Sequence, residues 1–123
     1  MTGEAVVLIK VYGLKNCDTC RKALAWLKQE SIPHQFIDVR VDGIAAKDIK
    51  RFADAAGVDV LLNKASTTWR ALDDAEKSDL SKPALVKLIA AHPALMKRPV
   101  FECGDRIVVG FREAQRAELA ACV

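Results

Sequence analysis

The strongest constraint on this chain lies at its two ends. Residues 6–12, VVLIKVY, form a short, β-branched apolar run that stops at Gly13, the pattern of a buried strand. Residues 18–30 then follow helical spacing. Ala23, Leu24, Leu27 and the edge of Trp26 make an apolar side, Arg21, Lys22, Lys28 and Gln29 a polar one, and Ser31 to Pro33 ends the pattern. Residues 35–39, QFIDV, alternate as a second strand. Strand, helix and strand so placed form a βαβ unit, which requires a parallel pair and a right-handed crossover. Near the other end, RPVFE and RIVVG flank Gly104-Asp105 as a hairpin. REAQRAELAA closes as a helix that offers Ala114, Ala117, Leu119 and Ala121 for packing.

Between these ends, residues 43–97 read as helical. Ile44, Ile49, Phe52 and Ala56 recur at helical spacing up to Gly57, and VDVLLN predicts a further short helix. TTWRALDDAEKSDL predicts a loop and one helix. SKPALVKLIAAHP predicts a helix capped by Ser81, with Pro83 tolerated in its first turn and Pro93 beyond its end. The expected organisation is one domain, residues 1–123, with 43–97 as a helical insertion too short to hold a core of its own. A βαβ joined to a ββα matches the thioredoxin-like α/β arrangement, here interrupted by helices.

A chain of 123 residues buries roughly two thirds of its unfolded surface, enough for a core without staples. The charge of +3 is mild and Lys and Arg never form a block of five, so a nucleic-acid partner is not expected. The N-terminal MTGEAVVLIKVYG has no basic lead, carries Glu4 and is broken by Lys10, so it does not read as a secretory signal. No stretch reaches the ~18 apolar residues of a membrane helix. A cytoplasmic location without membrane association follows as the expectation. Thiols there are kept reduced, so a structural disulfide framework among the four cysteines is not expected.

The chemistry concentrates at Cys17-Asp18-Thr19-Cys20. Disulfide exchange uses a thiolate, and a cysteine at a helix start faces unpaired N–H groups and the positive end of the helix dipole. Cys17 falls there, after Asn16, with Arg21 and Lys22 adding positive charge. Cys20, one turn on, can reach Cys17 but is more shielded. A modestly lowered Cys17 pKa is expected. Two plainer readings compete: small core residues, and half of a zinc site. Zinc needs four ligands, and Cys103, Cys122, His34 and His92 form no second close pair. Cys103 reads as packed in or beside the hairpin and Cys122 as a stray exposed thiol; either is also a candidate resolving cysteine. Pro99 stands before a strand. A cis Arg98–Pro99 bond would expose a backbone edge beside the thiol, and a trans proline would simply begin an edge strand.

YGLKNCDTCRKALAWL, LLNKASTTWRAL, KRPVFE and VVGFREAQ, in this order, resemble the arsenate reductase (ArsC) and Spx family, above all its YffB-like branch of small thiol reductases. The resemblance runs from about Val7 to Leu119. It implies a thioredoxin-like sheet with a helical insertion, Cys17 as the nucleophile, and Arg98 as an oxyanion-binding arginine before the proline. Cys20 falls where arsenate reductases usually carry serine and Spx-type regulators a second cysteine. Asn63 stands where the reductases place another arginine, and their third falls at Phe111 or Arg112. Oxyanion binding needs convergent charged donors, which Asn63 does not supply.

The reading that follows is a cytoplasmic, monomeric thiol–disulfide oxidoreductase without bound cofactor or metal, using glutathione or a glutaredoxin or thioredoxin system. Cys17 attacks, Cys20 or glutathione resolves, and Asn16, Arg21, Asn63, Lys64, Arg98, Pro99 and Arg112 are the candidate binding groups. Two alternatives remain. One is glutathione-coupled or glutaredoxin-coupled arsenate reduction. The other is an Spx-like regulator that binds RNA polymerase, with Cys17 and Cys20 as its switch.

Overall fold

The structure, a computed structural model, describes residues 8–123. The expected strand positions Val6 and Val7, and most of the N-terminal segment read above for targeting, lie outside the described residues. The elements begin with β1 (Ile9–Gly13), α1 (Asp18–Gln29) and β2 (His34–Asp38). Then come α2 (Ala46–Ala56), α3 (Val58–Leu61), α4 (Thr67–Ala71), α5 (Asp74–Lys77), α6 (Lys82–Ala91) and a 3-10 turn at Pro93–Leu95. The chain ends with β3 (Val100–Cys103), β4 (Arg106–Val109) and α7 (Glu113–Cys122). They divide into two compact units. One takes the described part up to Asp38 together with Arg98–Val123; the other is Val39–Lys97.

The first unit is a four-stranded sheet of order β2-β1-β3-β4. β1 and β2 pair in parallel, Val11 opposite Phe36, as a βαβ crossover requires. β1 and β3 pair antiparallel, Tyr12 opposite Val100 and Lys10 opposite Glu102. β3 and β4 form the hairpin, with Cys103 and Arg106 flanking its two-residue turn. Gly104 has φ +62, the left-handed conformation that a first turn position of this kind demands of glycine. This is the thioredoxin-like α/β fold. α1 buries Cys20, Ala23 and Leu27 on one face. Fully burying a side chain of the size of Leu27 is worth about 1.5–3 kcal/mol. Around them pack Ile9, Val11, Phe101, Val108 and Leu119, and Phe111 lies 5.7 Å from the Trp26 ring and 6.0 Å from Phe101.

The end of α1 shows why Ser31 to Pro33 stops it. Ser31 takes φ 56, its N–H donates to the Lys28 carbonyl at 3.1 Å, and the Ile32 N–H donates to the Leu27 carbonyl at 2.9 Å. That is a Schellman closure, with Ile32 and Leu27 both in the core.

The second unit is helical. α2 buries Ile49, Phe52 and Ala53; α6 buries Leu85, Val86 and Ile89. An isolated bridge joins Leu62 to Met96. The stretch expected to hold one helix holds two, α4 and α5. Each has its own cap: Ser66 Oγ accepts from the Trp69 N–H at 3.1 Å, and Asp73 and Glu76 form a reciprocal capping box. Two caps seven residues apart start two turns where hydrophobic spacing alone suggests one. Ser81 does occupy the N-cap of α6, but its side chain makes no capping bond; its N–H donates to Asp79 Oδ1 at 3.0 Å instead.

Candidate active site

The loop between β1 and α1 places the cysteines. The Cys17 N–H donates to the Leu14 carbonyl at 3.2 Å, and the Cys17 carbonyl accepts from the Arg21 N–H at 3.0 Å, which makes Cys17 the N-cap of α1. Its side chain is partly exposed, whereas Cys20 is 0% exposed. Both cysteines are free thiols.

Electrostatics separates the pair. Partial burial pushes the Cys17 thiol up. The backbone N–H and thiol of Cys20, a hydrogen bond from the Arg98 guanidinium and the charge of Arg98 outweigh that and hold Cys17 below an ordinary thiol. Burial pushes Cys20 up, and the proximity of Cys17 adds to it. A hydrogen bond from the Leu14 backbone and the charge of Arg98 offset only part, leaving Cys20 at about 11. Near neutral pH the nucleophilic thiolate therefore belongs to Cys17.

Cys17, Cys20 and Arg98 thus come together. The positive charge beside the sulfur is Arg98, not Arg21 as expected from sequence. Arg21 lies on the exposed side of α1, 2.5 Å from Asp18 Oδ1, where the short spacing lets the two pair with each other. Asn16 is exposed in the loop just before Cys17. Arg112 is the exposed N-cap residue of α7, and its backbone N–H donates to Gln115 Oε1 at 2.9 Å. Asn63 and Lys64 belong to the other unit. Asn63 Oδ1 accepts from the Ala65 N–H at 3.2 Å, and Lys64 Nζ lies 5.8 Å from the Trp69 ring.

The Arg98–Pro99 bond is cis. The open backbone edge expected beside it is absent from β3 itself. β3 is an interior strand with β1 on one side and β4 on the other, and the Pro99 carbonyl accepts from the Gly110 N–H at 2.9 Å. The edge-strand alternative fails for the same reason.

Cys122 is not a stray exposed thiol. It is partly buried and disulfide-bonded to Cys103, with 6.6 Å between their Cα atoms. A Cys103–Cys122 disulfide therefore exists where none is expected. The reason is topological: α7 returns its C-terminal end to the hairpin, a proximity that a separation of 19 residues does not reveal.

Two supporting residues escaped the sequence reading. Gly13 ends β1 against the buried sulfur: a Cβ there would stand 2.5 Å from Cys20 Sγ. A glycine at the end of the strand that leads into the Cys-x-x-Cys loop is the signal in the sequence. Asp38, 6% exposed, accepts the Lys15 N–H at 3.2 Å and ties the loop to the end of β2. A carboxylate inside the alternating QFIDV run was the hint.

A thioredoxin-like sheet with an acidified cysteine capping its first helix defines a protein of the thiol reductase-like class. The ArsC family matches residues 12–119, and the chain belongs to that family. It is 43% identical over 108 residues to an uncharacterized protein of Haemophilus influenzae, covering 88% of this chain and 95% of that one. It is 28% identical over 108 residues to the global transcriptional regulator Spx of Listeria innocua, covering 86% and 82%. Among solved structures, the YFFB (PA3664) protein superposes with a TM-score of 0.86 at 38% identity, covering 94% of this chain and 99% of that one.

Proposed function

We propose that this protein is a cytoplasmic thiol–disulfide oxidoreductase that uses glutathione. The Cys17 thiolate attacks one sulfur of a disulfide or glutathionylated substrate. The S–S bond breaks, the departing thiolate takes a proton from solvent, and a mixed disulfide remains on Cys17. A glutathione thiolate then attacks the outer sulfur of that mixed disulfide and regenerates Cys17, leaving oxidised glutathione when the group on Cys17 is glutathione, or a glutathionylated substrate thiol that a second glutathione reduces when it is not. Arg98 supplies a charge-assisted donor for the anionic thiolate and for a carboxylate of glutathione. The observation that carries the reading is the division of labour at the pair: Cys17 is partly exposed and acidified by hydrogen bonds from Cys20 and by Arg98, and Cys20 is buried and held at about 11. A thiol so buried and basic is a slow resolving nucleophile, which favours glutathione for that step.

The test is a glutathione-coupled assay on a glutathionylated peptide. Wild type should turn over, Cys17→Ser should not, and Cys20→Ser should retain most of the rate. Turnover by Cys17→Ser would refute the reading. A second reading, a redox-sensing regulator, is favoured by the 28% identity to Spx. Capture of RNA polymerase from lysate by the wild type, with no turnover in the assay, would establish it instead.

A further inference from the structure

We propose that Cys103 and Cys122 form a second, independent redox site: a reversible latch on the C-terminal helix, set by low-molecular-weight disulfides of the glutathione class. Position separates it from the Cys17 site. β1 and β3 run antiparallel with Tyr12 opposite Val100, so the Val100 end of β3 lies beside the end of β1 that leads to Cys17. Cys103 sits at the other end, beside the turn, about 10 Å of strand further on. Bridgeable cysteines have Cα atoms within about 7 Å, and the register puts Cys103 at the end of β3 away from the Cys17 loop.

The element the pair ties down is weakly held. α7 has ten residues, below the length at which an isolated helix is stable in water. Its one fully buried side chain is Leu119, with partly buried Cys122 and the preceding Phe111 packed beside it. The link between Cys103 and Cys122 closes a loop across the β3–β4 hairpin and α7 and so restricts the unfolded chain as well as the helix. A redox change at this pair thus acts on a helix that relies on its packing to hold.

The chemistry balances. The more accessible Cys122 loses its proton and attacks a glutathione disulfide, releasing one glutathione. Cys103, 2% exposed, then attacks the Cys122 sulfur and releases the second. Two protein thiols are oxidised and one disulfide is reduced to two thiols; excess glutathione reverses both steps.

The test uses the full chain carrying Cys17→Ser and Cys20→Ser, equilibrated in graded ratios of reduced to oxidised glutathione, quenched in acid and mapped by mass spectrometry. A Cys103–Cys122 cross-linked peptide should appear and vanish reversibly with the ratio. The oxidised form should melt roughly 10 °C higher than the reduced form, and amides of α7 should exchange at least tenfold more slowly in it. If the double variant does not fold, wild type with differential alkylation reads the same pair. No cross-link at any ratio would overturn the proposal, as would a cross-link that leaves melting and α7 exchange unchanged. Because the variant lacks both Cys17 and Cys20, its result is independent of the reductase assay.

Discussion

Replacing Gly13 with alanine places a methyl carbon 2.5 Å from Cys20 Sγ, against an ordinary contact of 3.4–4 Å. About 1 Å must be found by displacing a sulfur that is fully buried in a close-packed face. Overpacking of this kind costs about 1–3 kcal/mol, which for a chain of this length lowers the melting temperature by roughly 3–12 °C. The same displacement moves a hydrogen-bond donor away from Cys17, so the Cys17 thiol should also become less acidic. The next neighbours of the added carbon are Phe36 at 3.4 Å and Cys20 Cβ at 3.5 Å. Deleting the Cys20 sulfur should therefore remove the penalty. In a Cys20→Ala background, Gly13→Ala should cost under about 0.5 kcal/mol, or stabilise slightly through the reduced freedom of the unfolded chain. Denaturant melts of the four proteins in this double-mutant cycle measure the coupling, expected at about 1–3 kcal/mol. An equal cost in both backgrounds would refute the packing argument.

Arg98→Ala removes a donor and a positive charge from Cys17, so the thiol pKa rises and alkylation of Cys17 near pH 6.5 should slow several-fold; an unchanged rate–pH profile would show that Arg98 does not tune the thiol. The rate difference between Cys17 and Cys20 should narrow above about pH 9, as the more basic Cys20 begins to ionise. Ser31→Gly relieves a left-handed residue at the end of α1 and should stabilise the fold by about 1 kcal/mol in denaturant melts. Arsenate turnover by the wild type should be weak or absent; robust turnover would favour arsenate reduction over thiol–disulfide exchange.

The sheet was legible because its information is local. β1, α1, β2 and the β3–β4 hairpin each announce themselves by period and by turn residues, and these four signals leave few topologies. The placement of Cys17 was legible for the same reason, since a strand end and a helix start fix it within one turn. What stayed hidden depends on distance in the chain. The Cys103–Cys122 pairing and the contact of Arg98 with Cys17 join residues that only the folded topology brings together. The partition of charge was also hidden: Arg21 is nearest to the cysteines in sequence, but a neighbouring Asp18 holds it. Hydrophobic spacing does not register caps, so it predicts one helix where α4 and α5 stand.

The central claim is that Cys17 carries a mixed disulfide with glutathione. Its most direct test exposes the reduced Cys20→Ser variant to oxidised glutathione, followed by intact-mass and peptide mapping. A single glutathione on Cys17, removed stoichiometrically by added reduced glutathione, is the expected result. Absence of any adduct on Cys17 would contradict it.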